Sequence, residues 1–555
     1  MGRSMLLLGA ALVCAKPVAA APDRPLDDGG DARRLMQDNS RRFDDLILQQ
    51  KMRQMDGGRS PAAQTSPAMT GQDGCLPIRG VRLAGIALLS QDEVRAIGLP
   101  QGQCMELSDL NRFSRALTAK YVEKGYIAAR VHAEGPDADG VLTLRVVEGR
   151  VAEVRSDDAG LRTANLFPGL IGQPLNVHDL DQGLDQANRL RSNRVTVDVL
   201  PGAAAGDSIL QLHNLPQSRI SGALSLDNTG RESTGRMQAG ASLGIDNALG
   251  WSDFFNLSAQ STTENPAVRH SRSESLFFSL PYGYWTMSLM ASRADYLNPL
   301  QLPSSSVQLS GNTSQTGMRL DRVLSRDQGQ ILSAELQLTQ KRVRNYFQDV
   351  QLGISSPNLT VLEAGLSQMR VLPAGLLQWE AEVQRGTRWL GADAPDARQP
   401  GAPTPQFTKW KLGLNLYQTL ALPGGPYQWQ SSLNGQGSRN PLPGVEKLDP
   451  ADASAVRGFR NNSLAGDTGW YWRNTLSRRW QFGGWTLAPR LGLDGGRVLQ
   501  SDSREAWLDI AGATAGATFS MRGFTLDLDY SRPLYKPAAW PAEGHILLAR
   551  FSWQW

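Results

Sequence analysis

Residues 485–494 read Trp-Thr-Leu-Ala-Pro-Arg-Leu-Gly-Leu-Asp. Trp485, Leu487, Pro489, Leu491 and Leu493 share one parity; Thr486, Ala488, Arg490, Gly492 and Asp494 share the other. Successive side chains of a strand point to opposite faces, so this segment has an apolar face and a face bearing a cation and a carboxylate. A membrane β-barrel strand needs that division, with lipid outside and a wet lumen inside. The pattern recurs from about residue 219. Trp410, Leu412, Leu414 and Leu416 alternate with Lys411, Gly413, Asn415 and Tyr417, and Phe524, Leu526, Leu528 and Tyr530 with Thr525, Asp527, Asp529 and Ser531. The last strand sets Leu547, Ala549, Phe551, Trp553 and Trp555 against Leu548, Arg550, Ser552 and Gln554. At about 21 residues per strand and connection, residues 219–555 predict about sixteen strands.

The rest of the composition agrees with an exported β-rich chain. Of 555 residues only 41% are hydrophobic, while glycine (56) and tryptophan (14) are plentiful. After residue 20 no run of about 18 uncharged apolar residues supplies a transmembrane helix. The formal charge of +4 is too small to argue for nucleic acid. Arg3, the apolar run Met5–Ala15 and the small residues Val18-Ala19-Ala20-Ala21 predict a signal peptide, cut after Ala20. Cys14 leaves with it. Cys75 and Cys104 remain, an even pair in an exported chain, and a disulfide between them is expected. It would close a loop of about 30 residues, worth roughly 3–4 kcal/mol by chain entropy.

Between the leader and the alternating region the chain divides into four parts. Residues 21–55 contain a helix with Phe43, Leu46 and Ile47 on one face, among Arg41, Arg42, Asp44, Asp45 and Lys51. It fits a solvated amphipathic helix or a plug for a polar lumen equally well. Residues 56–74 form a Gly/Pro/Ser/Ala-rich flexible linker. Residues 75–150 read as a small α/β unit of order β-α-α-β-β. Ser90 and Glu93 form a capping box for a short helix, and Leu110, Phe113, Leu117 and Tyr121 mark a second helix that ends at Gly125. Strands are predicted over 126–131 and 141–147. Residues 151–216 repeat the order, with a helix over 177–191 marked by Leu180, Leu184, Ala187 and Leu190. The barrel takes 217–555. The fold class is thus α+β followed by an all-β membrane barrel.

Catalytic signatures are sparse. No GxSxG elbow is expected, and there is no phosphate-binding loop, HExxH pair or CxxC. His132, His178, His213, His270 and His545 are scattered, and none lies near the cysteine pair, so neither a metal site, a cofactor nor an enzyme is expected. The polar run around Val456-Arg457-Gly458-Phe459 offers a cation that could meet Asp494 on the lumen face and hold a long loop inside the pore.

These residues carry a resemblance. The mature chain resembles the outer-membrane transporters of two-partner secretion, the TpsB family. Cys75-Leu-Pro-Ile-Arg79, Leu83-x-Gly85 and Gly102-Gln103-Cys104 are similar to the family's first POTRA domain, including its cysteine pair. Leu175-Asn176, Leu180, Gly183-Leu184, Asn188-Arg189-Leu190, Ser192-Asn193, Pro201-Gly202 and Gly206-Asp207-Ser208 are similar to the second. Val456-Arg457-Gly458-Phe459, then Gly466-Asp467-Thr468-Gly469 and Arg473-Asn474, resemble the sixth extracellular loop.

The resemblance implies a 16-stranded barrel in the outer membrane, two periplasmic POTRA domains and an N-terminal plug helix. It implies secretion of one large, unfolded exoprotein of haemolysin, adhesin or contact-dependent toxin type. It also implies an Arg457–Asp494 pair within the inner-strand pattern Gly492-Leu493-Asp494-Gly495-Gly496, where Gly492 departs from the family's aromatic. Further expectations are exoprotein binding around Leu110, Phe113, Leu117, Tyr121, Leu180, Leu184, Asn188 and Arg189, chiefly through edge-strand backbone since most of these apolar positions suit a core. Phe551, Trp553 and Trp555 would signal to the barrel assembly machinery, and outer-membrane lipid would surround the wall. An assembly factor or insertase built on the same barrel is the alternative; a diffusion porin or an adhesion surface accounts less well for the two α/β units.

Overall fold

The computed structural model describes residues 29–56, 75–76, 78–99, 105–301, 306–327, 329–395, 402–500 and 506–555. The expected leader, most of the linker and the Cys75–Cys104 disulfide lie outside what is described.

From Ile220 onward the chain forms one closed, antiparallel barrel. Sixteen strands make its wall; the short pieces Val350–Gln351 and Trp480–Phe482 only extend neighbouring ladders. The last strand, Ile546–Gln554, closes on the first, Ile220–Asp227, from Arg550↔Asp227 to Gln554↔Ala223. Closure leaves no unpaired edge, as a lipid solvent demands. The parity read from sequence sorts the two faces. On Trp485–Leu499, Leu491 and Leu493 are 63% and 61% exposed, whereas Asp494 is buried. Trp285, Trp485 and Trp553 lie outward near the end of the barrel that carries the α/β units; Trp410, Trp470 and Trp507 lie outward near the far end. This is the two-belt arrangement of aromatic side chains at membrane interfaces.

Two three-stranded units precede the barrel. In the first, Gly80–Ala84 runs parallel to Val141–Val147, which pairs antiparallel with Arg130–Glu134. Helices Gln91–Ile97 and Leu107–Glu123 cover the sheet, and the Ser90/Glu93 capping box is formed. The second repeats this with Arg150–Ser156, Asp207–Asn214 and Val195–Pro201, and with helices Thr163–Leu166 and Val177–Asn188. One strand expectation shifts: residues 126–129 turn rather than pair, because Gly125 takes φ +90° and Tyr126 N–H caps the preceding helix on Tyr121 O.

The helix Gly30–Asp56 threads the barrel lumen. Phe43 and Ile47 pack on Phe277 and Met290, while Ala32 and Met36 join a cluster with Tyr296, Val343, Leu359 and Phe407. Elsewhere the helix is polar, and the wall answers in kind. Arg42 donates to Ser258 Oγ (3.0 Å) and Gln260 Oε1 (2.7 Å), and Lys51 lies 3.3 Å from Asp321.

Candidate functional site

The connection between strands Gly425–Ser438 and Thr468–Ser477, residues 439–467, folds back into the barrel from its far end. Three anchors hold it, each built from residues distant in sequence.

The first anchor is Arg457. Its Nε lies 2.6 Å from Asp494 Oδ2 and its Nη2 lies 2.6 Å from Asp494 Oδ1, a two-point ion pair whose side chains are 4% and 0% exposed. Asp494 also accepts from the backbone N–H of Arg457 (3.0 Å) and of Asn474 (3.1 Å). Arg457 Nη2 donates further to Asn474 O at 2.6 Å. The desolvation of this pair is offset because its hydrogen-bonding capacity is used. Glycines clear the space. A Cβ on Gly492 would sit 2.1 Å from Arg457 Nη2, and one on Gly512 would sit 1.7 Å from Arg457 O. Gly492, where the resemblance led us to expect an aromatic, is therefore the residue that makes room for the guanidinium. Gly458 has φ +108° and passes against the Arg532 backbone, a conformation that favours glycine. A Cβ on Gly496 would come 3.1 Å from Val456 Cγ2, and one on Gly495 would stand 3.9 Å from the neighbouring strand's Ile510 O, an ordinary contact. Val456 and Phe459 are buried in a cluster with Leu464, Val498 and Ile510, and Phe459 stacks edge-on against Trp540 at 5.7 Å. Gly466 bridges back to Leu448, and Asp467 Oδ1 accepts from Leu442 N–H (2.8 Å).

The other two anchors were not singled out from sequence. Glu446 lies 2.6 Å from Lys341 and 2.7 Å from Lys409 on the barrel wall. Asp452 faces the helix, 3.2 Å from Arg34 and 3.1 Å from Arg41. Arg33 adds a bond to Ser463 Oγ (2.8 Å) and Gln37 one to Lys447 O (2.8 Å), so helix and loop are held together directly. A polar loop was legible; its partners lie far away along the chain and carried no local signal. Glu543 likewise went unnoticed, although it gathers the backbone N–H groups of Arg460, Asn461 and Asn462.

The α/β units alter the reading of the expected binding residues. Leu110, Phe113, Leu117 and Tyr121 lie in the core of the first unit, Leu180 and Leu184 in that of the second. Each buried leucine contributes about 1.5–3 kcal/mol of folding free energy by leaving water, and none presents a surface. Asn188 clamps its helix to the sheet by exchanging two hydrogen bonds with Val195 (2.7 and 2.9 Å). Arg189 is 1% exposed and bonds to Ser279 Oγ (2.7 Å), Ser252 O (2.7 Å) and Gln50 Oε1 (3.0 Å). It joins the second unit to the barrel turns and to the helix, so it is no contact for an incoming chain. Gln182 and Gln186 donate to Gly283 O (3.0 Å each), and Arg326 pairs with Asp185. The aromatic side chains of Phe551, Trp553 and Trp555 all lie on the outer face. Among the described residues no His/Cys/Asp/Glu group has the geometry of a metal site. Gly240–Gly244 has the G-x-S-x-G spacing, but it runs inside a straight barrel strand, not at the strand-to-helix turn that exposes a nucleophile.

Comparison with known proteins agrees with this architecture. The model of the family described as haemolysin secretion/activation protein ShlB/FhaC/HecB matches residues 206–519. A ShlB-type POTRA domain matches 76–149, and a further POTRA domain matches 150–201. The chain is 44% identical to the hemolysin transporter protein ShlB of Serratia marcescens, over 94% of each chain. It is 38% identical to the hemolysin transporter protein HpmB of Proteus mirabilis, over 90% of each. The solved structure of CdiB from Escherichia coli superposes with a TM-score of 0.86 at 27% identity, covering 96% of this chain and all of that one. With its closed 16-stranded barrel and two POTRA domains, this chain belongs to the ShlB/FhaC/HecB family, an outer-membrane transporter of two-partner secretion whose POTRA domains face the periplasm.

Proposed function

We propose that this transporter exports one large exoprotein of the haemolysin type, and that the Arg457–Asp494 pair is the point on which its loop is gated. Support for the cargo comes from the two hemolysin transporters, which are more similar in sequence than the CdiB relatives at 30%. The observation that carries the gate is the buried Asp494 carboxylate, which binds the loop's Arg457 through both side chain and backbone.

The exoprotein arrives unfolded in the periplasm. Because the apolar helix side chains are committed to cores, recognition falls to the sheet edges: Gly80–Ala84 and Arg130–Glu134 in the first POTRA domain, and in the second Val195–Pro201 and residues 153–156 of Arg150–Ser156, whose start is already bridged by 172–174. An extended segment can add there as a further strand. The helix Gly30–Asp56 leaves the lumen, and the chain passes through the space it occupied. No covalent step is involved; folding of the product outside supplies direction. The barrel itself reaches the membrane through the barrel assembly machinery, signalled by Phe551, Trp553 and Trp555, and is solvated there by outer-membrane lipid. Cys75 and Cys104 would brace the first POTRA domain.

The test is co-expression with a large haemolysin-type exoprotein encoded beside this chain, assaying the culture medium with and without the transporter. We expect the exoprotein outside only when the transporter is present. Export that is unchanged in its absence, with other barrels failing to assemble, would replace this reading by the insertase one.

A further inference from the structure

The outer face of the barrel carries a groove near the closing seam. It is open and shallow, about 670 Å³ across the first five strands, and mostly apolar. Strand register explains it. Ala241 lies opposite Ala259, and on the next rung Leu243, Leu257, Leu276 and Ala291 follow one another across four strands. The alanines form the floor, the leucines the walls. Trp555, paired to Gly222 at the seam, closes one end.

Above this groove the outward side chains become charged. The rung of Ala241 and Ala259 continues through Glu274, Arg293 and Ser314 to Arg342. Arg272 stands one rung nearer the extracellular end. All three arginines are exposed, and among the described residues no carboxylate comes within ion-pair distance of them. Of the nearby acids, Asp295 is occupied by His270 at 3.0 Å, leaving Glu274 as the one opposing charge on the shared rung. Arg293 and Arg342 are two strands apart, about 10 Å. The wall across the barrel differs: Arg497 is engaged there by Asp509 through two bonds of 2.5 and 3.1 Å.

We propose that this face binds a phosphorylated lipid of the outer leaflet, its acyl chains lying in the groove and its phosphates held by Arg272, Arg293 and Arg342. Guanidinium forks match phosphate oxygens, and arginines at the edge of an apolar belt reach toward headgroups while their stems stay on apolar surface. Three arginines against the carboxylates of Glu274 and Asp295 leave a net positive face that selects an anionic headgroup, and the extracellular position selects the outer leaflet. Neither feature serves the lumen, so the proposal stands apart from the gating one.

The full-length protein, purified in detergent, would be titrated with bis-phosphorylated lipid A and followed by native mass spectrometry. Wild type should retain the lipid. The variant Arg272→Gln/Arg293→Gln/Arg342→Gln should bind at least about tenfold more weakly, and so should Ala259→Phe, which fills the floor and keeps every charge. An unchanged heat-dependent gel shift shows that each variant is folded. Equal binding by wild type and both variants overturns the proposal, as does equal binding of dephosphorylated lipid A. Phosphatidylglycerol binding as tightly as lipid A would overturn the assignment to the outer leaflet.

Discussion

The helix Gly30–Asp56 and the loop 439–467 share one lumen, but most of the helix's ion pairs keep contact with water, the buried Arg33–Asp449 pair at 3.6 Å excepted, whereas the loop's Arg457–Asp494 pair is removed from it. Arg34 and Arg41 reach Asp452 with side chains still 19% and 34% exposed. Such pairs contribute about 0–1 kcal/mol each and weaken with salt. Arg457 and Asp494 are sealed by glycines and backbone donors, and removing one partner of such a pair costs about 3–5 kcal/mol by stranding the other. The difference makes the helix the releasable element and the loop the persistent one.

The largest expected effect comes from breaking the buried side of that comparison. Arg457→Ala should strongly reduce exoprotein in the medium while leaving barrel assembly intact, read by the heat-dependent gel shift of the membrane fraction. Undiminished secretion would remove the gate from Arg457.

Next, Gly492→Ala leaves the charges in place and only adds a Cβ where the guanidinium sits. Overpacking of this kind costs about 1–3 kcal/mol, so secretion should fall in the same direction, but less. If secretion matches wild type, the cradle matters less than the charge.

A smaller change tests the exposed side. Asp452→Asn removes the shared partner of Arg34 and Arg41 and should weaken helix retention by about 1 kcal/mol, a roughly fivefold rise in open population. Planar-bilayer conductance should show it, and raised salt should move wild type toward the variant. Salt-independent conductance would mean that the apolar contacts of Phe43 and Ile47 govern retention.

The smallest effect lies outside the lumen and serves as a control. The Ser90 backbone N–H and the Lys124 ammonium hold the Glu93 carboxyl at about 2. A depressed value stabilises the fold above the ordinary carboxylate value of roughly 4.3 and loses that contribution as pH falls through about 2. Pepsin sensitivity of segment 91–97 in the full chain should therefore rise over that window in wild type. In Glu93→Gln, which keeps the capping geometry but cannot titrate, it should not change with pH over that window, with conductance and secretion unaffected. A flat profile in wild type would show that the capping box does not hold this helix.

Two readings of the sequence met the structure differently. Period-two alternation was legible over most of residues 219–555, because each side chain in a barrel strand faces either lipid or lumen, and it placed Asp494 inward without any knowledge of its partners. The helical spacing of Leu110, Phe113, Leu117 and Tyr121 was equally legible, and it marked the core that most of these positions were expected to form rather than a binding surface. Arg189 misled for a related reason: a cation after an amphipathic helix looks exposed until another domain covers it, and here the barrel turns do so.

Sequence alone therefore determined the strand pattern, the repeated β-α-α-β-β units, the lumen-facing carboxylate and the family likeness, since each depends on spacing along the chain or on local propensity. Tertiary structure decided the pairings: Glu446 with two lysines, Asp452 with the helix, Arg189 with the barrel, and Gly492 with the guanidinium it makes room for. Those contacts join residues up to several hundred positions apart. Barrel closure and strand register bring them together, and neither leaves a mark within any one segment.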